Sequence, residues 1–451
     1  MIDILHIYIK MIYLALLNSK KLMKKNLITL GCLILMFNGN LSALTLEEAI
    51  SESLNNNLTI QMEKSTLGIA EENLLQSKVD FLPSISLSGS ISESETSGIT
   101  TQGGVTGTEY ELSPSSKSII LSQTIFNGFG RAYSLKSSKS ELELQRLNKF
   151  KTEQDITLET IEAYFNILAS EKMLKSYEDN FKTVSERFSS TKKEFEVGLS
   201  SKTDVAQAEA YYNAAKIDML NTKISHQNIM NAFNNLVGAE ARNLSFSSIN
   251  GFLPDSSSEF NELVINNNLS IKMAQSNLDI KSSDVGVARS AYFPQVNLTA
   301  TKSELDEFSS TVDQITNEEI EATISWPIFN KGKSSSAVRQ AEKLKNRYMI
   351  LLQKTRQDTL TLASNIWQKY SISKETLDAA NLSYLASQIA FEGTKIEQEV
   401  GERTVLDVLN ARQSLLNAEI KLFNEQKNQE VIKAQVMYLA GILTLENIRG
   451  I

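Results

Sequence analysis

The sequence has few of the residues that build metal sites, nucleophilic sites and disulfides. It contains one cysteine, Cys32, and two histidines among 451 residues. Cys32 lies in an N-terminal segment that we expect to be removed, so His226 is then the single histidine and no thiol is left. Metal ligation and nucleophilic catalysis usually need grouped Cys, His and carboxylate side chains. We therefore predict no enzyme, no cofactor and no metal site.

Positive charge is also in deficit. The chain carries 45 Lys and Arg against 53 Asp and Glu, a net charge of −8. Residues 1–43 hold five lysines and one aspartate, so without them 40 basic and 52 acidic residues give −12. An acidic chain binds nucleic acid poorly. We therefore exclude a nucleic-acid partner.

The N-terminus has the pattern of a secretory signal peptide. A positive segment starts at Met23, an apolar run follows over 27–37, and a small-residue cleavage site ends at Ala43. This run is too short to span a membrane. We take Met23 as the expected start; the other interpretation adds the apolar run at 4–17 to a longer leader. Cys32 could mimic a lipidation site, but the residues before it fit such a site poorly.

Prolines are rare, and they mark where helical patterns stop. None of the five lies inside a long helical pattern, where proline would cost about 3 kcal/mol. Four of them border segments in which apolar and polar residues alternate, and Pro254 lies in a polar linker. Such alternation is typical of strands. The predicted strands cover about 84–92, 118–126, 294–302 and 319–328.

The predicted strands have one apolar and one polar face. In the first, Ile85, Leu87 and Ile91 alternate with serines, which suits a membrane barrel with lipid outside and water inside. An acidic segment with Glu304 and Asp313 separates the last two strands, and we predict a loop there. Four strands cannot close a barrel, because the smallest membrane barrels have about eight. Since unpaired edges are not tolerated in lipid, we expect a dimer with eight strands or a trimer with twelve.

The rest of the chain predicts helices of two lengths. Two helices of about 66 residues, over 131–196 and 333–399, contain no proline. Four shorter helices of about 35 residues are predicted at 44–78, 203–236, 259–291 and 404–440. Near the end of the first long helix, residues such as Phe181 and Phe188 recur three and four apart, which is a coiled-coil seam. Helices this long and slim favour a tube or a stalk.

The two halves of the chain repeat each other. A shift of about 203 residues places Val197-Gly198 on Val400-Gly401. Each pair interrupts a helical pattern and marks the tip of a helical hairpin, near 197–204 and near 400–407. We divide the chain into a first repeat at 44–243, a linker at 244–258 and a second repeat at 259–451.

Both tips continue into a helix-start pattern. Ser201 with Asp204, and Thr404 with Asp407, have the hydroxyl–carboxylate spacing that caps a helix N-terminus. Capping alone explains both aspartates. Arg403 and Asp407 are about one helical turn apart, the spacing of an ordinary surface ion pair. Such a pair contributes roughly a few tenths of a kcal/mol to stability.

The chain resembles the TolC family of outer-membrane efflux and secretion channels over essentially all of its length after the N-terminal segment. The resemblance is carried by the strand starts after Pro83 and Pro294, by two Ile-Phe-Asn turns, and above all by the run Val400-Gly401-Glu402-Arg403-Thr404-Val405-Leu406-Asp407-Val408-Leu409-Asn410. It implies a mainly α fold with a membrane β part. Three chains would share a twelve-stranded outer-membrane barrel that continues into a helical coiled-coil barrel in the periplasm.

The same resemblance implies the function. The family forms passive exit ducts of tripartite efflux pumps or type I secretion systems, opened at the periplasmic end when a periplasmic adaptor and an inner-membrane transporter dock. From the residues alone, a periplasmic coiled-coil adaptor or structural protein without a pore is an alternative, but it leaves four alternating strands unexplained. An exported enzyme would need clustered catalytic groups.

Candidate site residues follow from the resemblance as well. Arg403, Thr203 and Asp204 match the residues that hold the family's periplasmic gate closed, whereas Gln398 replaces a tyrosine of that gate.

The resemblance further implies a pore constriction. Asp407 matches the first of two aspartate rings that narrow the family's pore, but Asn410 occupies the second position. A trimer would carry three carboxylates there instead of six, and attract cations less strongly.

Overall fold

Long helices and one β-sheet make up the part of the chain that the structure describes. The computed structural model describes residues 44–96, 110–241, 243–309 and 312–449. The predicted signal peptide lies outside these residues. Across the described ranges, no helix has an apolar stretch long enough to cross a membrane.

The same order of elements occurs twice along the chain. The first half consists of α1 (Leu46–Asn56), α2 (Leu58–Val79), β1 (Ser84–Ile91), β2 (Ser94–Thr96), β3 (Tyr110–Leu112), β4 (Ser115–Asn127), α3 (Gly130–Glu196) and α4 (Lys202–Val237). The second half consists of α5 (Ser257–Asn267), α6 (Leu269–Ser290), β5 (Gln295–Ser309), β6 (Val312–Ser325), α7 (Lys333–Glu399), α8 (Val405–Leu439) and the short α9 (Leu445–Arg449). Two short helices, a strand pair and a long helical hairpin therefore recur in each half.

The long helices lie where the sequence predicts them. Helices α3 and α7 each have 67 residues, which at 1.5 Å per residue is about 100 Å. Each is followed by a glycine in the left-handed region, Gly198 with φ 80° and Gly401 with φ 85°. Glycine adopts this conformation without a steric penalty, so the chain reverses there into α4 or α8. These predicted helix bounds are confirmed to within one or two residues.

The shorter helices before the strands are each broken by an asparagine. Asn57 separates α1 from α2, and Asn268 separates α5 from α6. The Asn57 side chain accepts a hydrogen bond from the backbone N–H of Thr59 at 2.8 Å, and Asn268 caps Ser270 in the same way at 3.0 Å. The prediction of one continuous helix at each place is wrong, because an asparagine that caps the next helix must itself leave the helical conformation.

The β-sheet has four antiparallel strands in the order β1-β4-β5-β6. Its outer strands, β1 and β6, each have one edge without a strand partner among the described residues. Strands β2 and β3 form a separate two-stranded sheet. On the polar face, Ser88 and Ser90 of β1 bond the hydroxyls of Ser118 and Ser116 of β4, each at 2.7 Å.

Strands β5 and β6 extend further than the sequence predicts. The acidic segment expected to be a loop is mostly strand: Glu304 lies opposite Thr316 in the β5–β6 register. The cross-strand ion pair of Lys302 with Glu318, at 2.6 Å, offsets part of the acidic charge. The predicted loop is therefore wrong. At its other end β6 stops at Ser325, shortly before Pro327, which cannot donate a ladder hydrogen bond.

The main hydrophobic core lies midway along α3, where α3 meets α1, the C-terminal ends of α4 and α8, and the segment after α4. Its largest fully buried side chains include Tyr164 and Phe165 of α3, Phe233 of α4 and Met437 of α8. A second cluster packs Phe260 of α5 against α7 and α8. The two halves are therefore joined by apolar contacts at this level.

Candidate functional site

At the first hairpin tip, Asp204 caps the start of α4. Its Oδ2 accepts hydrogen bonds from the Ser201 Oγ at 2.6 Å and from the Ser201 backbone N–H at 2.9 Å. The Ser201 Oγ in turn accepts from the Asp204 N–H at 3.1 Å. These bonds hold the pKa of Asp204 below its ordinary value. The predicted cap is confirmed, and Thr203 is exposed beside it.

The second tip repeats this geometry. The Asp407 Oδ2 accepts from the Thr404 backbone N–H at 2.9 Å and from its hydroxyl at 2.8 Å, while the Thr404 Oγ1 accepts from the Asp407 N–H at 3.2 Å. The backbone bond from Thr404 is the main reason why the pKa of Asp407 lies below its ordinary value. Both capping boxes keep a carboxylate at the positive end of a helix.

Arg403 pairs within its own tip. Its Nε lies 2.9 Å from Oε2 of Glu397, and this bond raises the pKa of Arg403. The alternative surface pair with Asp407 is wrong, because Glu397 takes the ionic contact. Within the described contacts of one protomer, Arg403 does not meet Thr203 or Asp204 on the other tip. The gate assignment of these three residues stays a prediction.

Two further side chains link the hairpins. The Tyr211 hydroxyl of α4 donates to the Asn410 Oδ1 of α8 at 2.9 Å. The Arg187 Nη1 of α3 donates to the Gln398 Oε1 of α7 at 2.8 Å. Sequence reasoning missed Tyr211 and Arg187, because each partner lies some 200 positions away. Gln398 thus makes an inter-hairpin bond although the family's tyrosine is absent.

A groove lies between the tips. It has a volume of about 300 Å³ and is lined by residues of both hairpins, among them Leu199, Asp204, Thr404 and Leu409. The predicted gate residue Asp204 and the capping residue Thr404 of the other tip therefore line the same groove. The predicted constriction residues Asp407 and Asn410 both lie on the first turns of α8.

The chemistry available at the tips is hydrogen bonding and charge. The groups there are carboxylates, guanidinium groups, amides and hydroxyls whose partners are described above. Among the residues that the structure describes, no group of three or more His, Cys, Asp or Glu side chains could hold a metal ion. The tips are suited to making and breaking polar links between helices.

Comparison with known proteins identifies the family. The family model described as outer membrane efflux protein matches residues 49–239 and 262–441. Outer membrane efflux protein BepC of Brucella suis is 24% identical over 412 residues, 90% of this chain and 87% of BepC. Outer membrane protein TolC of Vibrio cholerae is 24% identical over 317 residues, 66% of this chain and 70% of TolC. The Campylobacter jejuni CmeC outer membrane channel has a TM-score of 0.79 at 20% identity, and the match covers 88% of this chain and 86% of CmeC. The chain therefore belongs to the outer membrane efflux protein family, whose members are outer-membrane channels and not enzymes.

Proposed function

We propose that three copies of this chain join their sheets into one twelve-stranded barrel in the outer membrane, continuous with a helical barrel in the periplasm. The open edges of β1 and β6 support this arrangement. An unpaired strand edge in lipid leaves backbone groups without partners, so each edge needs a strand from a neighbouring copy. The repeated order of elements likewise supports the division into repeats at 44–243 and 259–451.

The outer face of the sheet is the single observation that carries the proposal. Ile85, Leu121, Ala300 and Ile320 form one row across all four strands. In this row Ile85 is 71% and Ile320 81% exposed. The neighbouring row, on the other face, contains Ser84, Ser122, Thr299 and Glu321. Water disfavours such an apolar surface, whereas a bilayer covers it, and the polar face then lines a lumen.

In this arrangement the protein is a passive exit duct of a tripartite efflux pump or a type I secretion system. The names of BepC and of its efflux relatives support the export role. Docking of a periplasmic adaptor and an inner-membrane transporter opens the periplasmic end. The duct itself contributes no chemical step.

The closed end is held by the hairpin tips. When the tips close against one another, Arg403 leaves its ion pair with Glu397 and bonds Thr203 and Asp204 instead. Asp407 and Asn410 line the narrowest part of the pore. Exchange of partners is feasible because the pair of Arg403 with Glu397 is solvent-exposed, and exposed ion pairs contribute little stability.

Single-channel recording tests the gate. Arg403→Ala and Asp204→Ala should each raise the conductance of the closed channel, because each removes one side of the proposed link. Ser201→Ala is the matched control for the lost helix cap, and Glu397→Gln is the control for the pair within the tip. Conductance that stays at the wild-type level in both Arg403→Ala and Asp204→Ala would discard the gate.

The duct itself is tested with the wild-type protein. Purified protein in a planar bilayer should conduct ions, and cell fractionation should place it in the outer membrane. A protein that conducts no ions and is recovered with soluble periplasmic proteins would favour the adaptor or structural alternative.

A further inference from the structure

The outer face of the sheet changes character toward the end that lies farthest from the helices. The row that contains Ile85 and Ile320 is apolar on all four strands. In strand order, the next row on this face consists of Leu87, Ile119, Lys302 and Glu318. The row beyond it consists of Gly89, Lys117, Glu304 and Thr316. Charged side chains therefore begin lower on β5 and β6 than on β1 and β4.

The apolar band on β5 and β6 is short. Trp326, whose indole N–H donates to the Tyr292 carbonyl oxygen at 3.0 Å, lies at the helix end of the band, where barrels carry interfacial aromatic residues. Glu318 lies eight positions before Trp326. At about 3.3 Å per residue and a strand tilt of about 40°, these positions span about 20 Å of height, against about 25 Å for the apolar band of a typical barrel. The charged rows of β5 and β6 therefore begin about 5 Å below the usual headgroup level.

The charged rows form a polar notch between apolar strands. On the β1–β4 side of the notch, Leu87 is 78% and Ile119 51% exposed. In a closed ring of copies the other side meets β1 of the next copy, which is apolar at this height as well. We define the polar notch by its residues, which are Lys117, Lys302, Glu304, Thr316 and Glu318. Because charge is unfavourable in hydrocarbon, a lipid headgroup and not an acyl chain must cover the notch.

Both basic residues of the four-stranded sheet lie in this notch. Lys117 is exposed, and within the described residues it has no ion pair and no hydrogen bond. The Lys302 Nζ lies 2.6 Å from Oε1 of Glu318, and this pair is itself exposed. Lys117 and Lys302 are diagonal neighbours across the β4–β5 ladder, a position in which residues are about 7–8 Å apart. Both ammonium groups can therefore reach one phosphate group.

The carboxylates of the notch select for a headgroup that also donates hydrogen bonds. Glu304 accepts from the Gln314 side-chain amide, and Glu318 pairs with Lys302. A carboxylate can accept about four hydrogen bonds, so both retain capacity for further donors. A phosphorylated glycolipid supplies phosphate for the lysines and sugar hydroxyls for the carboxylates. A choline phospholipid supplies the phosphate but no donor, so it fits only half of the notch.

We propose that the polar notch of each copy binds the headgroup of one phosphorylated glycolipid, with Lys117 and Lys302 on a phosphate and Glu304 on a sugar hydroxyl. The proposal rests on the proposed duct function, because that function places this face of the sheet in the membrane. With the helices in the periplasm, the notch lies at the outer leaflet. The barrel then has one specific lipid contact per chain in addition to its apolar band.

Native mass spectrometry of the purified complex tests the proposal. Lipid A is the glycolipid probe and phosphatidylcholine is the comparison lipid, and a chelator removes divalent ions that could bridge carboxylates to phosphates. The wild-type protein should retain up to one lipid A per chain and bind phosphatidylcholine more weakly. Lys117→Gln should weaken the retention of lipid A roughly fivefold, which is the usual effect of one lysine at a lipid surface.

Two further variants complete the test. Lys302→Gln with Glu318→Gln leaves neither partner unpaired and should also weaken retention, whereas Lys223→Gln, an exposed position on α4, should not. Equal retention of lipid A by the wild type, Lys117→Gln and the double variant would overturn the proposal, as would equal retention of both lipids by the wild type. The same spectra count the chains: a monomer refutes the shared barrel, whereas a complex of three chains that retains no lipid A refutes the notch and leaves the duct intact.

Discussion

Glu430 offers the sharpest test of how the segment after α4 is fixed to the helices. This α8 residue is 3% exposed. Its carboxylate accepts hydrogen bonds from the Ile249 backbone N–H at 2.8 Å, the Lys433 Nζ at 2.8 Å and the Ser248 Oγ at 3.1 Å. Ile249 belongs to the main core. We predict that Glu430→Ala releases this segment locally without unfolding the long helices.

The magnitude follows from what the substitution leaves behind. Glu430→Ala deprives the buried Ile249 N–H of its acceptor and leaves the partly buried Lys433 ammonium with the Ser248 Oγ alone. Loss of one partner from a buried pair costs about 3–5 kcal/mol. Since about 1.4 kcal/mol corresponds to a tenfold change in an equilibrium, the protection of the Ile249 amide against hydrogen exchange should fall roughly a hundredfold to a few thousandfold.

Hydrogen-exchange mass spectrometry of the peptide around Ile249 measures this effect. Glu430→Gln is the matched control, because its amide oxygen can still accept from the Ile249 N–H, while its NH2 group replaces the Oε1 that accepts from Lys433 and Ser248. Its effect should therefore be smaller. Asn428→Ala, an exposed position two residues earlier, should have no effect. Wild-type protection in Glu430→Ala would refute the inference that this carboxylate holds the segment.

Three further predictions concern packing, pH and selectivity. Gly286→Ala should destabilise the α6–α3 contact by about 1–3 kcal/mol, because the new Cβ would overlap the Tyr133 ring. An unchanged thermal unfolding temperature would contradict the tight contact. The cap made by Asp204 is complete above the ordinary carboxyl pKa of about 3.9 and is lost as the pH falls through the lowered pKa of Asp204. Amide exchange in the first turn of α4, corrected for its intrinsic pH dependence, should therefore speed up at acid pH in the wild type. Asp204→Asn should show no such transition. Asn410→Asp should increase cation preference in reversal-potential measurements, and unaltered selectivity would place that residue away from the lumen.

Helix and hairpin bounds were predictable because the determining signals are local. The long helix α3 is free of interior glycine and proline, and the Val-Gly pair that follows it supplies the residue with positive φ. The capping boxes at Asp204 and Asp407 were predictable for the same reason, since a hydroxyl and a carboxylate three residues apart are visible in the sequence.

The helix breaks and the strand extensions required more than periodicity. Asn57 and Asn268 interrupt patterns whose apolar spacing continues on both sides, so only the side-chain hydrogen bonds to the next turn decide the conformation. The acidic segment of β5 becomes strand because β6 supplies partners such as Glu318 for Lys302, and that pairing depends on the register.

The polar links between hairpins were the least predictable part of the site. Arg403 pairs with Glu397 and not with Asp407, because the turn places its guanidinium group beside Glu397. Tyr211 and Arg187 meet partners brought close by packing of the second hairpin.

In the proposed barrel, neighbouring copies complete the four-stranded sheet of one chain. Chemical crosslinking of protein extracted from outer membranes, read by native mass spectrometry, tests it most directly. We predict a complex of three chains that migrates as a compact, heat-modifiable species on unboiled gels. A monomer would contradict the shared barrel, and a dimer would replace the twelve-stranded arrangement with an eight-stranded one.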